Sequence, residues 1–399
     1  MQRPSDLQAG KKTSSRKREP LHLKKNKLNS YTLCSCEFNR PVLGVMKKIL
    51  FLDKIFLERK LKLLCGVEIF NLCLLRDLAS LGYSVAVPAH SEWGRVIRAW
   101  TGNAPVEIID LPFNTGNMPG GLLALKKIRE RRFDLLLLGN VGNSLIPMIF
   151  LLHWLRVINR IALIAHREPK PGFIRALKSL PMTVLAVNKN IAAAFAHKNF
   201  TLMKNRYGIA QSEQFYPSPP ANGNPKPWVD FCVLGHLDRK WKGADTAEAA
   251  FWALPDDVRK TCRLHLAGFS SVKPFPPKNI IPYGWVPFQQ IGNLLRGMDV
   301  MLVPSRDENN VMKETFSQAS VQGMLTGLPL IVNNLPVLAE KVGSGEGFVF
   351  NDVEDLTIAM RRLAEDKQRR LEMGEQGRRT ALKKYVWNTQ NFVNELLGR

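Results

Sequence analysis

Pro304 to Asn334 reads PSRDENNVMKETFSQASVQGMLTGLPLIVNN, and the reading of this stretch decides the fold. It follows an apolar run, Val300 to Val303, and opens as a polar loop. A helix is expected from near Phe316, with Ser317 as a natural cap. Ala319, Val321, Met324 and Leu325 then supply an apolar face at helical spacing. Gly327 suits a helix terminator, Pro329 lies just beyond it, and Leu330 to Val332 reads as the next buried strand. The unit is strand, loop, helix, strand, with one carboxylate, Glu314, just before the helix. A helix N-terminus presents unpaired N–H groups and a positive dipole, which suits a phosphate.

The same alternation runs outward in both directions. Ile49–Leu52, Ser84–Val87, Val106–Ile109, Leu135–Leu138, Ile161–Ala165 and Val184–Val187 read as strands, with Val67–Leu81 and Leu122–Arg132 as helices between them. Tyr216 to Pro227 is a proline-rich linker. A second series follows: Asp230–Leu234, Arg263–Ala267, Asn279–Tyr283 and Val300–Val303 as strands, with Thr246–Leu254 and Phe288–Leu295 as helices. Glu354 to Leu397 is a charged helical tail. Strands this apolar, separated by helices, argue for parallel sheets covered on both faces. The expected class is α/β, two Rossmann-like doubly wound domains facing an interdomain cleft, which is the default ligand site. The expected divisions are an extension at 1–45, a first domain at 46–215, the linker at 216–227, a second domain at 228–380, and a C-terminal helix at 381–399 that crosses back to the first domain.

The chain has 399 residues, enough for two domains with proper cores. Its formal charge of +23 is uneven. Residues 1–45 carry 10 Lys/Arg against 3 Asp/Glu, residues 46–215 carry 24 against 11, and residues 216–399 carry 23 against 20. A basic first half beside a near-neutral second half suggests that one domain faces something anionic. Residues 1–45 lack an apolar core for a signal peptide, and they read as a disordered arm, or an upstream-start artefact, ahead of a domain opening at Met46. Leu145–Ile158 is too short and interrupted to span a membrane and reads as a buried helix. The cations after it, Arg156, Arg160, Arg167, Lys170, Arg175 and Lys178, also suit an interfacial helix. The six cysteines are too scattered for a disulfide scaffold and read as reduced, intracellular thiols.

A second loop carries chemistry. Val233-Leu234-Gly235-His236-Leu237-Asp238-Arg239-Lys240-Trp241-Lys242-Gly243 places a glycine turn after a strand and then three cations. Cationic side chains offset charge on phosphoryl oxygens, and glycine lets the backbone approach. Taken together, this loop and the opening stretch resemble the retaining glycosyltransferases of the GT-B fold, family 4 group. Gly235 to Lys242-Gly243 matches that family's early G-R-x5-K-G spacing. Pro304-Ser305-Arg306, Glu314 and Gly327-Leu328-Pro329 match its later motif. Cys65-Gly66-Val67-Glu68 resembles the turn after the family's first strand, and the likeness runs in order over 46–399.

The resemblance implies a site. Lys242 would hold the donor diphosphate, with Arg239 or Lys240 beside it. Glu314 would bind hydroxyls of the transferred sugar. Backbone N–H groups around Phe316 and Ser317 would cradle phosphate, Gly66 would let the first-domain loop approach the donor, and His166 would face the reacting sugar. Three departures stand out: His236 replaces an arginine, Gln322 replaces the glutamate that holds the nucleotide ribose, and Thr315 and Ser317 replace glycines. No metal-ligand cluster is evident, Asp307-Glu308 being a weak candidate and Asp256-Asp257 an exposed turn, so neither metal nor cofactor is expected.

The implied activity is transfer of a sugar, with retention, from a nucleotide-sugar to a glycan, lipid-linked or lipopolysaccharide-type acceptor. It would take place in the cytoplasm, at the inner face of the membrane, with the basic first domain meeting an anionic partner. An epimerase or an inactive pseudo-transferase is the alternative that His236 and Gln322 keep open. Nucleic-acid binding is a distant one, because 1–45 holds only Tyr31 and Phe38 as aromatics.

Overall fold

The computed structural model describes residues 48–58, 64–110, 126–129, 131–204, 206–218, 226–271, 278–308, 314–343 and 345–397. The expected extension at 1–45 with Cys34 and Cys36, most of the linker, and the start of the helix expected at Leu122 lie outside these residues.

Among the described residues thirteen strands form two wholly parallel sheets. The first contains β1 (Lys48–Leu52), β2 (Ser84–Ala89), β3 (Val106–Asp110), β4 (Phe133–Leu138), β5 (Ile158–Ala165), β6 (Met182–Ala186) and β7 (Phe200–Leu202), in the order β3-β2-β1-β4-β5-β6-β7. The second contains β8 (Val229–Leu234), β9 (Cys262–Ala267), β10 (Ile280–Tyr283), β11 (Val300–Val303), β12 (Leu330–Asn333) and β13 (Gly347–Phe350), in the order β10-β9-β8-β11-β12-β13. The central strands are buried on both faces, Leu50 to Leu52 and Val300 to Leu302 being at most 1% exposed, which is why they read as unbroken apolar runs. The doubly wound α/β expectation therefore holds.

Strand order places the site. In the second sheet the chain leaves β8 toward β9 on one side and leaves β11 toward β12 on the other, so β8 and β11 flank a topological switch point. Leu302 of β11 lies between Val233 of β8 and Ile331 of β12. The loops after Leu234 and after Val303 therefore emerge side by side. The first sheet switches between β1 and β4 in the same way.

The charged tail resolves into helices Val353–Glu365, Lys367–Lys384 and Thr389–Leu397. The last packs on the first domain's helix Gly66–Ser80, where Thr389 Oγ1 donates to Asp77 Oδ2 at 3.0 Å. Val386 pairs with Ile209, and Arg160 donates to the carbonyl of Leu396 at 3.2 Å.

Three expectations are corrected. Leu145–Ile158 is not one buried helix: a 3-10 turn, Asn143–Leu145, leads into helix Ile146–Trp154, and Ile158 already begins β5. The helix ends in solvent, with Trp154 77% and Leu155 40% exposed. The cations after it do not form one cluster, because the eight residues of β5 carry the chain about 25 Å from one sheet edge to the other. Arg156, Arg160 and Lys178 sit at the N-terminal edge, Arg167 and Lys170 at the C-terminal edge. Asp256 and Asp257 are not a turn but the first turn of helix Asp256–Lys260, with Asp256 paired to Arg259. Cys65, Cys73, Cys232 and Cys262 carry free thiols.

Candidate functional site

The loop after β8 closes with a 3-10 turn, Lys240–Lys242, before helix Ala244–Ala253. Between them Gly243 has φ 73°, and a Cβ there would run into the carbonyl of Pro304, so only glycine fits where this loop crosses the next. That crossing brings Lys242 onto Glu314. Lys242 Nζ is 2.6 Å from Glu314 Oε2, with the two side chains 17% and 9% exposed. The same Oε2 accepts from Ser305 Oγ at 3.2 Å, Oε1 accepts from the Ser317 N–H at 3.1 Å, and Lys242 Nζ lies 4.5 Å from the Trp241 ring centroid.

The helix that follows, Gln318–Leu325, starts two residues after Phe316, directly behind the expected cap. Ser317 is its cap, its Oγ accepting from the Ser320 N–H at 3.4 Å. Ser317 has φ 59°, a left-handed conformation that glycine adopts more readily. Its N–H is already taken by Glu314, so of the two amides expected to cradle phosphate this one is engaged. Phe316 is buried.

Arg306 lies where the two loops meet. Its N–H donates to the Trp241 carbonyl at 2.8 Å, and its guanidinium binds Asp245 Oδ1 and Oδ2 at 2.9 and 2.8 Å and Thr246 Oγ1 at 2.8 Å. It fastens the two loops together. Arg239 and Lys240 are exposed on the first loop. His236 turns its ring edge to Trp285, 5.9 Å between centroids, and its Nδ1 has no partner. Burial and Arg239 both lower its pKa. Gln322 is 4% exposed in the helix, and its backbone carbonyl accepts from the Thr326 N–H and Oγ1.

Across the cleft, Cys65 caps helix Gly66–Ser80 and its N–H donates to Glu68 Oε2 at 3.0 Å. Gln318 Nε2 donates to the Gly66 carbonyl at 2.8 Å and reaches the Tyr207 hydroxyl at 3.2 Å. A Cβ at position 66 would sit 3.0 Å from Gln318 Cδ. Asn188, just after β6, donates to the Thr315 carbonyl at 2.8 Å. Burial raises the Cys65 thiol, and Glu68 adds to it, against the field of Arg239, Lys242 and Arg167. Cations from both domains thus converge on this end of the cleft.

His166 follows β5 and is 5% exposed. Its ring lies edge-on to Phe70 and Tyr207, at 5.6 and 5.4 Å, and its Nε2 has no partner. Burial, with Arg167 nearby, pushes its pKa down to about 3, so it is a neutral imidazole at physiological pH. The structure thus brings Lys242, Glu314 and Ser317 into one contact group, with Gly66 tied to the adjoining helix start by Gln318, and with Phe316 and His166 both packed on Tyr207.

Two side chains of this neighbourhood escape a reading of motifs. Gln318 has no signal in the sequence beyond its place at the helix start. Lys341 is 0% exposed behind Phe316; its spacing to Val337, Leu338 and Val342 on the apolar side of a helical turn is the clue that it points inward. Among the described residues no group of three or more His, Cys, Asp or Glu is arranged to hold a metal ion.

Residues 229–366 match the family model of glycosyl transferases group 1. Over 78 residues the chain is 32% identical to an uncharacterized 41.2 kDa protein in the cps region of Klebsiella pneumoniae; the match covers 20% of this chain and 20% of that relative's length. HepE of Anabaena, solved with UDP and glucose, superposes with a TM-score of 0.66 at 14% identity over 88% of this chain and 99% of its own. WaaG, a glycosyltransferase involved in lipopolysaccharide biosynthesis, superposes with a TM-score of 0.59 at 16% identity over 88% of this chain and 100% of its own. At these identities the structural likeness is one of fold, and that fold is GT-B.

Proposed function

We propose that this chain, whose residues 229–366 match the glycosyl transferases group 1 model within a GT-B fold, is a glycosyltransferase that moves a sugar from a nucleotide-sugar donor bound at the Lys242–Glu314 pair. The observation that carries the reading is that pair. Two motifs 72 residues apart meet at 2.6 Å, at the switch point where an α/β sheet binds ligands.

In this reading the two side chains exchange partners when donor binds. Lys242 turns to the diphosphate and Glu314 to hydroxyls of the sugar. Cleaving the glycosidic bond leaves negative charge on the diphosphate as the sugar becomes oxocarbenium-like. Lys242 and the start of helix Gln318–Leu325 would bear on that charge, with Arg239 and Lys240 as the exposed cations beside it, and a metal is not required. His166, neutral and with no partner at Nε2, would face the transferred sugar once the Phe70 and Tyr207 rings packed on it shift. Gln322 would hydrogen-bond the ribose without charge. Retention at the anomeric carbon follows from the family resemblance.

The acceptor we infer is an anionic or lipid-linked glycan, in keeping with the basic first domain. Among the described residues no helix is long and apolar enough to cross a membrane. A peripheral contact through Trp154, Leu155, Arg156 and Arg160 fits their exposure, a setting on the cytoplasmic face included.

A screen of nucleotide-sugars for thermal stabilisation and slow hydrolysis tests the donor assignment, with UDP-glucose as the first probe because HepE is also solved with it. Stabilisation and turnover by at least one donor, with and without EDTA, is the expected result. Stabilisation without turnover favours the inactive pseudo-transferase, for which Gln322 and His236 are the specific grounds. Stabilisation by none, with tight DNA binding at physiological salt, contradicts the reading.

A further inference from the structure

We propose that Lys341 is a positioning residue for the Glu314–Ser317 turn, its buried ammonium holding the Phe316 ring from behind; this rests on the donor-site reading above. Lys341 lies just beyond the short helix Pro336–Ala339 and is 0% exposed. Its Nζ donates to the Val337 carbonyl at 2.7 Å and sits 4.8 Å from the centroid of Phe316 and 5.4 Å from that of Tyr385. Phe316 also meets the Tyr207 ring in a T-shaped contact, 4.7 Å between centroids. Tyr207 belongs to the first domain and shares Gln318 with Gly66. Phe316, two residues after Glu314, therefore touches both a buried cation and the tyrosine of the cleft contact.

An ammonium in this place opposes folding. Burying a charge with one hydrogen bond is unfavourable, and replacing such ions by apolar side chains of equal size is often neutral or stabilising. A methionine would fill the same space. Retention of the charge fits a role at the site, where a desolvated cation–π contact is strong and directional.

Burial lowers the Lys341 pKa to about 8. The groups that face it are Glu340 on its own segment, Glu314 on the donor turn, and Tyr385 at the end of helix Lys367–Lys384. Burial raises the Tyr385 phenol to about 12, so it stays neutral over the range in question. The ammonium is lost as pH rises through about 8, and the grip on Phe316 weakens with it.

The test compares wild type with K341M. The expected variant melts no lower than wild type, exchanges amide hydrogens over residues 314–318 about tenfold faster, and shows kcat about tenfold lower with KM moved less than about threefold. UDP-glucose, or whichever nucleotide-sugar the wild type turns over, is the substrate. Wild-type kcat falls as pH passes about 8, whereas K341M shows no such limb. Unchanged exchange over 314–318, or a lower Tm with wild-type kcat, makes Lys341 a packing residue and overturns the proposal. If the wild type turns over no nucleotide-sugar, the glycosyltransferase reading is what fails, and the exchange comparison still decides Lys341. Should K341M not fold, the wild type alone suffices: exchange at 314–318, corrected for intrinsic pH dependence, must rise through about pH 8, and a flat profile overturns the proposal.

Discussion

Gln318 Nε2 donates to the Gly66 carbonyl across 2.8 Å, joining the helix start of one domain to the first loop of the other. The same nitrogen reaches the Tyr207 hydroxyl at 3.2 Å, so one amide ties together three segments that line the cleft.

Gln318→Ala removes this tie while leaving Ser317 as the helix cap. A hydrogen bond of this kind contributes about 0.5–1.5 kcal/mol, so the donor KM is expected to rise by up to about tenfold with kcat less affected. Steady-state kinetics on the screened donor checks it. An unchanged KM would mean that the contact does not bear on donor binding.

Ser317→Gly should keep the turn and relax it. A non-glycine residue at φ 59° carries about 1 kcal/mol of conformational strain, and glycine is a weaker cap by only a few tenths. The expected variant is as stable as wild type or slightly more so, with activity retained. Calorimetric Tm is the measurement; a fall of several degrees would show that the Ser317 side chain matters beyond the cap.

Asp53 is 0% exposed at the end of β1, where it accepts from the Ile55 N–H at 2.8 Å and from Asn71 Nδ2 at 2.6 Å. Burial raises its pKa to about 7 despite these bonds. The native state therefore holds a proton that the unfolded chain releases from about pH 4 upward. The contribution of this group is most favourable at low pH and is lost as pH rises from about 4 to about 7, an upper bound of about 4 kcal/mol. Asp53→Asn is expected to melt higher than wild type at pH 8 and to flatten this dependence. Parallel Tm-against-pH curves would contradict it.

Asp230 behaves in the opposite sense. Burial would raise its pKa, but His265 at 2.9 Å, Arg263 at 2.6 and 2.8 Å and Lys226 at 2.9 Å hold it well below the usual range. Its contribution is complete above about pH 4 and is lost as pH falls. Asp230→Ala leaves Arg263 and His265 Nε2 without their acceptor, while Lys226 keeps the Gly297 carbonyl and Asp299. Because Arg263 and Lys226 are partly exposed, the expected loss is about 3 kcal/mol, the low end for a broken buried pair. Urea denaturation measures it, and a loss below 1 kcal/mol would contradict the account.

The architecture was legible because strands buried on both faces must be apolar throughout: ILFL at 49–52 and VMLV at 300–303 admit little else. The meeting of Lys242 with Glu314 was legible only through two loop motifs read together, since neither loop specifies its partner. What stayed hidden depended on which way a side chain faces. Glu340-Lys341 looks like surface, yet Lys341 falls on the inner side of its turn. Arg156 to Lys178 looks like one basic patch, yet β5 separates its ends. Nothing in the matched motif Pro304-Ser305-Arg306 names Asp245 as the partner of Arg306.

The most direct test of the central claim is kcat/KM of Glu314→Ala on the nucleotide-sugar that the wild type turns over, alongside its Tm. Removal of the group that positions the sugar should lower kcat/KM by about 100-fold or more while the Tm stays within a few degrees. Turnover within about threefold of wild type in a folded Glu314→Ala protein would contradict the assignment of the Lys242–Glu314 pair as the donor site.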